Sequence, residues 1–308
     1  MISVLVIGAR GAVGSTVVST LRDRGHHVTP AGRRAPAGGI ALDLGAGDLR
    51  ELTRAAREHD VIVNASGVEN TSLGEVAGNA VLVDISATGS YLAALASRSP
   101  KAPIVLGAGI APGVSTVLLA ELDSRAADEV DVAVTLGSGE KHGAQAVEWT
   151  AGLLGAPIAD TAGDGPVDNF REHRHFDGPR GRRRYLRADF PDQALVGGER
   201  GLRVRSWLAL TSPVATYALE LVGHAPRLGG LVRRTPAFGS SNWEIVAMNR
   251  RTGEARRASG IGQSRATALV TALAATRAAE NPPTRPVALD AVLSSSDLAG
   301  LPGIDLES

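Results

Sequence analysis

The sequence contains no cysteine, and its charges balance. The absence of cysteine excludes disulfides, thiolate nucleophiles and cysteine-ligated metals. The 32 basic and 32 acidic residues give a formal net charge of +0, so no global field favours nucleic acid, an anionic membrane or acidic ligands. Of the 32 basic residues only two, Lys101 and Lys141, are lysines.

Long apolar runs are also lacking. The N-terminal stretch has no basic segment before its apolar residues, and glycines interrupt it too early for a signal peptide. Nothing else approaches the roughly 20 apolar residues that a membrane span needs. With 308 residues, 44% of them hydrophobic and 21% charged, the chain is typical of a globular protein. We expect a cytoplasmic protein without membrane or nucleic-acid partners.

The first third alternates short apolar strands with amphipathic helices. A parallel sheet covered on both faces needs such strands, so the rhythm predicts a doubly wound α/β sheet. The predicted strands are Val4–Ile7, His27–Ala31, Ile40–Leu44, Val61–Asn64, Val81–Ile85 and Ile104–Leu106. The predicted helices are Ser15–Arg24, Asp48–His59 and Ser90–Ser97.

The pattern changes after about Val114. Strand candidates with period-two alternation now dominate, which indicates a second α+β domain on a mixed or antiparallel sheet. These strands are Val130–Leu136, Arg183–Phe190, Leu202–Leu208 and Trp243–Asn249. The helices are Ala144–Leu154, Pro213–Val222 and the alanine-rich Ser264–Glu280.

A glycine loop lies between the first strand and its helix. Gly8 allows a tight turn, Gly11 lets the backbone approach a pyrophosphate, and Gly14 permits close packing of the helix on the strand. Ala12 and Val13 then open a helix whose N-terminal N–H groups attract phosphate. In this context the loop predicts dinucleotide binding; the alternative is a structural turn without a ligand.

The end of the second strand indicates which dinucleotide. An NAD site usually carries Asp or Glu there to bind the ribose 2′-hydroxyl. This chain has Arg33 and Arg34 instead, whose guanidinium groups suit a 2′-phosphate, and Arg10 of the glycine loop adds a third cation. The pattern favours NADP(H) over NAD(H), although solvated arginines would look the same.

Further cofactor contacts are expected at later strand ends. Asp43 either contacts the adenine or caps the next helix, and the sequence does not separate the two. Asn64, Ser66 and Gly67 end the fourth strand with small residues, as a backbone passing close to a ribose needs, or as an ordinary turn would have.

A second motif, Gly107-Ala-Gly-Ile-Ala-Pro-Gly113, ends a strand in small residues and opens a helix at Pro112-Gly113. With the glycine loop it resembles the saccharopine dehydrogenase-like reductases, including carboxynorspermidine dehydrogenase-type members. The resemblance extends to Asn64–Gly67, Val83–Ala87, Gly137–Gly143 and Ala258–Ser264. It adds Gly109 and Pro112 to the expected cofactor residues.

The resemblance implies three parts and a chemistry. Residues 1–115 would be the Rossmann domain, 116–258 a substrate and dimerisation domain, and 259–308 a helical segment that returns to the first. The implied activity is NAD(P)-dependent hydride transfer at a C=N bond of a small carboxylate-bearing substrate in an interdomain cleft. Reduction of a carbonyl or an activated C=C bond, and a redox sensor that binds NADP(H) without turnover, are alternatives. A homodimer is expected.

Candidate catalytic residues are few. An imine accepts hydride best as an iminium ion, so a nearby acid would help. His142 and Lys141 lie in a polar, glycine-containing turn after a strand, and either a catalytic role or a plain surface turn fits. Tyr185 is a further possible proton donor, although its strand pattern also suits core packing.

The segment Arg171–Arg187 contains seven arginines. Such a run is usually a solvated face, but it also offers bidentate contacts to substrate carboxylates. His173 and His175 alternate like residues on one face of a strand. Without an evident third ligand, no metal site is predicted.

Overall fold

The computed structural model describes residues 1–46, 48–139, 144–178, 181–225, 227 and 239–307. The chain divides into two compact units, each made of two stretches of sequence. The first is Met1–Val114 with Ser264–Leu301, and the second is Ser115–Gln263 with Pro302–Ser308.

The first unit contains a parallel sheet of seven strands. They are β1 (Ser3–Ile7), β2 (His27–Gly32), β3 (Ile40–Ala41), β4 (Val61–Asn64), β5 (Val81–Asp84), β6 (Ile104–Leu106) and β13 (Val287–Ala288). Their order is β13-β6-β5-β4-β1-β2-β3, and every neighbouring pair is parallel. The first six strands therefore have the Rossmann order predicted from the sequence.

The strands of this sheet form where they do because their side chains are apolar on both faces. β4 and β5 are buried throughout, as parallel strands between two layers of helices must be. The register aligns Ile7 with Asn64, and Asn64 with Asp84. The carboxyl ends of β1, β4 and β5 are thus level at one edge.

The helices of this unit are α1 (Ala12–Asp23), α2 (Arg50–Ala56), α3 (Leu73–Ala77), α4 (Gly89–Arg98), α9 (Gln263–Glu280) and α10 (Ser295–Ala299). α1 buries one stripe formed by Gly14, Val17, Val18 and Leu21. α9 is buried on several sides, which its small alanine side chains permit. The hydroxyl of Thr271 in α9 donates to the backbone oxygen of Ala108 at 2.8 Å.

The second unit contains a mixed sheet. Its strands are β7 (Glu129–Leu136), β8 (His173–Gly178), β9 (Gly181–Arg187), β10 (Arg203–Leu210), β11 (Asn242–Asn249), β12 (Ala255–Ile261) and β14 (Ile304–Glu307). The order is β14-β12-β11-β7-β10-β9-β8. β7 and β10 are parallel, and the other neighbouring pairs are antiparallel.

Four helices accompany this second sheet in the described residues: α5 (Val114–Ala120), which begins at the last residue of the first unit, α6 (Ala144–Leu153), α7 (Gly198–Arg200) and α8 (Pro213–His224). A π-helical turn, Gln193–Gly197, precedes α7. α8 starts after Ser212, whose hydroxyl accepts a hydrogen bond from the N–H of Ala215 at 3.3 Å, with proline at its first position.

Four features of the structure differ from the sequence predictions. The segment 259–308 is not wholly helical and does not belong to one unit, since β12 extends to Ile261 and β14 pairs with β12 in the second sheet. β8 was not predicted as a strand, and it forms because β9 supplies its backbone partners. The predicted strand Ile40–Leu44 and helix Asp48–His59 are shorter, at Ile40–Ala41 and Arg50–Ala56. Among the described residues, no helix is both long and apolar enough to cross a bilayer.

Candidate functional site

The glycine loop lies in backbone contact with the ends of neighbouring elements. Gly8 follows β1 with φ +86°, and a Cβ added there would lie 2.4 Å from the backbone oxygen of Ala65. A Cβ on Gly14 would lie 2.3 Å from the backbone oxygen of Gly8. Glycine is therefore required at both positions, for the turn and for the packing of α1 on it.

Gly11 differs from these two glycines because it is exposed. A Cβ there would meet nothing nearer than the backbone oxygen of Gly8 at 3.2 Å. Gly11 is the N-cap of α1, no side chain caps this helix, and its first turn has no acidic residue. Helix geometry leaves the N–H groups of Ala12 and Val13 without intrahelical acceptors. The N-terminus of α1 is thus open to an anion.

The arginines predicted to select the cofactor lie beside this helix start. The N–H groups of Gly8 and Ala9 both donate to the backbone oxygen of Ala31, at 3.0 and 3.1 Å, which places the end of β2 against the glycine loop. The guanidinium of Arg10 donates to the backbone oxygens of Arg34 and of Ala35. It therefore joins the two loops.

Arg33 and Arg34 have exposed side chains. Within the described residues neither makes an ion pair, whereas the buried Arg187 and Arg205 both do. No carboxylate stands at the end of β2, since Gly32 is followed directly by the two arginines. This region of the surface can accept an anion of high charge.

Asp43 lies in the turn after β3. Its Oδ1 accepts a hydrogen bond from the N–H of Gly45 at 3.0 Å. It does not cap α2, because the carboxylate of Asp48 accepts from the N–H of Arg50 at the start of that helix. The helix-capping alternative for Asp43 is therefore wrong. A contact with adenine remains a prediction.

Asn64, Ser66 and Gly67 form a closed hydrogen-bonded turn after β4. The Oδ1 of Asn64 accepts from the hydroxyl of Ser66 at 2.7 Å, and its Nδ2 donates to the backbone oxygen of Val68 at 3.2 Å. The hydroxyl of Ser66 in turn accepts from the N–H of Val68 at 3.1 Å. Gly67 has φ +72°, which glycine adopts without strain. The turn lies against Gly8, where the sequence predicted a cofactor contact.

Asp84 is a site residue that sequence reasoning missed. It ends β5, is 0% exposed, and accepts hydrogen bonds from Asn64, Ser86 and Tyr91. Burial raises the pKa of Asp84, and burial together with the charge of Asp84 raises the pKa values of Tyr91 and Glu69. The sequence signal that could have identified Asp84 is an acidic residue at the end of the otherwise apolar strand Val81–Asp84.

Gly109 and Pro112 lie in the loop after β6. Both are buried, and the N–H of Gly109 donates to the backbone oxygen of Pro112 at 3.1 Å. A Cβ on Gly109 would lie 3.4 Å from the methyl group of Thr267 in α9. The loop is thus held against α9, and contact of these two residues with a cofactor remains a prediction.

The predicted catalytic residues divide into two groups. His142 and Lys141 lie outside the described residues. Tyr185 lies in a core cluster with Ala133, Trp207 and Ala209, and its hydroxyl is 2.8 Å from the hydroxyl of Thr135. Burial raises the pKa of Tyr185, which weakens it as an acid. The structure therefore corrects its assignment as a proton donor, because the side chain is a core residue.

Most of the described arginines in the arginine-rich segment form ion pairs with acidic side chains elsewhere in this protein. Its described ion pairs are Arg171–Asp168, Arg174–Asp131, Arg184–Glu220 and Arg187–Asp164. Nδ1 of His173 lies 2.9 Å from the carboxylate oxygen Oε1 of Glu220, and the His173 ring packs edge-on against that of His175. No group of three His, Asp or Glu side chains in the described part of the chain could hold a metal ion. These pairings argue against the whole segment as a carboxylate clamp.

A cavity of about 750 Å³ lies at the opposite edge of the first sheet. Its lining includes Met1, Asp60 and Val81, at or just before the amino ends of β1, β4 and β5. Ligands of doubly wound sheets bind at the carboxyl ends of the strands. Size alone therefore does not identify the site, and the glycine-loop edge is the better candidate.

The first unit matches a known family model. Residues 4–113 match the model of the NAD dependent epimerase/dehydratase family. The matched segment covers β1 to β6 and none of the second sheet. It agrees with a nicotinamide cofactor at the glycine loop. No curated protein matches the chain.

Several solved structures are similar to parts or all of the chain. MoeE5 in complex with UDP-glucose and NAD is 24% identical, with a TM-score of 0.24, over 28% of this chain and 37% of that one. The chain therefore spans well under two thirds of this relative. A meso-DAP dehydrogenase variant from Clostridium tetani is 13% identical, with a TM-score of 0.49, over 98% and 97% of the two chains. Aspartate semialdehyde dehydrogenase II from Vibrio cholerae is 11% identical, with a TM-score of 0.36, over 81% and 75%.

Proposed function

We propose that this protein is an NAD(P)-dependent oxidoreductase that uses NADP(H). The observation that carries the proposal is the N-terminus of α1, which no side chain caps, beside the exposed Arg33 and Arg34, neither of which makes an ion pair within the described part of the chain. The helix start would receive the pyrophosphate and the arginines the 2′-phosphate. An aspartate at the end of β2, which would repel that phosphate, is absent from this sequence.

Within this class we propose a reductase of the saccharopine dehydrogenase-like type. It would act at a C=N or related bond of a small, carboxylate-bearing substrate. The bound nicotinamide would supply or accept the hydride, and the protein would supply orientation and exclusion of water. The Pro112-Gly113 turn, held against α9, supports the proposal because that motif carried the sequence resemblance.

Direct titration tests the choice of cofactor. Fluorescence titration of the full chain with NADPH and with NADH should give an affinity at least about tenfold higher for NADPH, as one charge-assisted contact to phosphate implies. Equal affinities would remove the argument from Arg33 and Arg34. No binding of either would defeat the oxidoreductase proposal.

A substrate panel tests the reaction. NADPH oxidation is measured with 2-oxo acids paired with amines, and in parallel with simple ketones and with α,β-unsaturated carbonyl compounds. Turnover confined to mixtures that contain both a 2-oxo acid and an amine supports C=N reduction. Turnover confined to the ketones or to the unsaturated carbonyl compounds would contradict C=N reduction and support reduction of a C=O or C=C bond. Tight NADPH binding without any turnover would favour the redox-sensor function instead.

A homodimer is also proposed. Light scattering coupled to size-exclusion chromatography should give twice the mass of 31.6 kDa calculated for one chain. A mass of one chain across the concentration range would exclude it.

A further inference from the structure

Asp84 is the centre of a buried polar network at the carboxyl edge of the first sheet. Its Oδ2 accepts from the amide Nδ2 of Asn64 at 2.8 Å and from the hydroxyl of Tyr91 at 2.9 Å. Its Oδ1 accepts from the N–H of Ser86 at 2.8 Å. Asn64, Ser86 and Tyr91 all donate to this carboxyl group, and their hydrogen bonds favour its charged form against the burial that raises its pKa. The surroundings therefore suit a carboxylate better than an amide.

The carboxylate decides which way the Asn64 amide points. Because Asp84 only accepts here, the NH2 group of Asn64 must face it, and the amide oxygen must face Ser66. The reverse orientation would place the oxygen of Asn64 against Asp84 and against the backbone oxygen of Val68. It would also leave the N–H of Ser66 without its acceptor.

The orientation of Asn64 in turn fixes the turn that supports the glycine loop. Asn64 bonds Ser66 through its oxygen and Val68 through its nitrogen, which closes the turn from both sides. The backbone of Ala65 and Ser66 lies so close to Gly8 that a Cβ there would come within 2.6 Å of both residues. Any shift of the turn would therefore move the loop.

We propose that Asp84 is a positioning residue of the cofactor site, which acts through Asn64 on the turn 65–68 and so on the glycine loop. The proposal rests on the proposed NADP(H) binding, because its main readout is cofactor affinity. Asp84 itself is fully buried, so it would act on a bound cofactor only through these residues.

Four variants of the full chain test the proposal. Asp84→Asn places an NH2 group among the donors. The amide of Asn64 then loses its acceptor or turns over, so NADPH affinity should fall about tenfold. Asn64→Asp sets two carboxyl groups against each other and should have at least the same effect. The double variant Asn64→Asp with Asp84→Asn restores a hydrogen bond between the two side chains but leaves the backbone oxygen of Val68 without its donor, so its NADPH affinity should recover in part, to a value between those of Asn64→Asp and wild type.

Tyr91→Phe is the matched control. It removes another donor to Asp84 but leaves the Asn64 amide oriented, so NADPH affinity should not change. Melting temperature is measured for all variants. A merely structural role of Asp84 predicts that affinity follows melting temperature, that Tyr91→Phe weakens binding as well, and that the double variant does not recover. That pattern would overturn the proposal.

Amide hydrogen exchange of the wild-type chain covers the case in which the variants do not fold. The N–H groups of Ser66 and Val68 should be protected without cofactor, because both already bond side-chain oxygens of the network. Exchange at unprotected rates would show that the turn is not clamped and would also overturn the proposal. If wild type binds neither NADPH nor NADH, the proposed function fails, and a comparison of this exchange between wild type and Asp84→Asn then decides whether Asp84 positions the turn.

Discussion

Arginine occurs in two contrasting settings in the two units. In the first unit, Arg33 and Arg34 are exposed and make no ion pair within the described residues. In the second, Arg250 holds the buried Asp131 through two bonds of 2.6 and 2.7 Å, and Arg205 holds Asp164 in the same bidentate way. An arginine whose charge is already matched is not available to a ligand, whereas exposed arginines beside an open helix start can bind an anion.

The two settings of arginine also predict different effects of mutation, on cofactor binding in the first unit and on stability in the second. Asp131 is 0% exposed and accepts from Arg174, Arg250 and the indole N–H of Trp207. A buried carboxylate without partners would lower the free energy of unfolding, so Arg174 and Arg250 contribute to stability. The arginines at the end of β2 can be changed with little effect on folding, so their effect should appear in cofactor affinity.

The largest effect is expected from Asp131→Asn. Removal of the charge leaves Arg250 and Arg174 without their shared carboxylate, and the free energy of unfolding should fall by about 3 kcal/mol. Urea denaturation followed by circular dichroism measures this. NADPH affinity of the folded variant should be unchanged; a variant as stable as wild type would mean that this network does not support the second sheet.

Arg33→Asp should have the next largest effect, on binding alone. Replacement of a cation by an anion at the proposed position of the 2′-phosphate should weaken NADPH binding by about 10- to 100-fold and leave NADH binding nearly unchanged. Arg182→Asp, at an exposed arginine of β9 in the second unit, is the control and should change neither affinity. If both variants lose the same NADPH affinity, the loss comes from the change in net charge. The arginines of the two units would then not differ in their role in binding.

Asp164→Asn should have a smaller effect that depends on pH. The hydrogen bonds from Arg205 hold the pKa of Asp164 below its ordinary value of 3.8. A lowered pKa in the folded state gives stability that is present above 3.8 and is lost as pH falls through the lowered value. Asp164 is one quarter exposed, so solvent screening limits the loss at neutral pH to about 1 kcal/mol.

The free energy of unfolding of this variant and of wild type is compared at neutral pH and at about pH 3. The difference between the two proteins should shrink at the lower pH, because below pH 3.8 the unfolded wild-type chain binds a proton at Asp164 more readily than the folded chain does. A difference that stays constant would mean that the Arg205 pair contributes through packing rather than charge.

The first sheet could be predicted from the sequence because its signals are local. Short apolar runs such as Val61–Asn64, each followed by small residues, identify buried parallel strands without knowledge of their partners. The glycine loop is equally local, since Gly8, Gly11 and Gly14 lie within one turn and one helix start. That is why the cofactor edge could be predicted.

The elements and residues that were missed depend on distant partners. β8 has charged or polar side chains at most positions and becomes a strand through its pairing with β9, and β14 through its pairing with β12. Asp84 bonds Asn64, 20 residues earlier in the chain, so the acid at the end of Val81–Asp84 did not by itself reveal the network. Arg174 looked free for the same reason, since its partner Asp131 belongs to another strand.

The smallest effect on the free energy of unfolding is expected from Glu75→Gln in the first unit. This variant compares an exposed ion pair with the buried ion pairs of Asp131. Glu75 and Arg98 form an ion pair at 3.0 Å, but both side chains are about half exposed. Water and salt screen such a pair, and its two long side chains must be ordered to form it. The free energy of unfolding should therefore change by no more than about 0.5 kcal/mol. A loss comparable to that of Asp131→Asn, measured by the same urea denaturation, would show that burial does not decide which of this protein's ion pairs stabilise it.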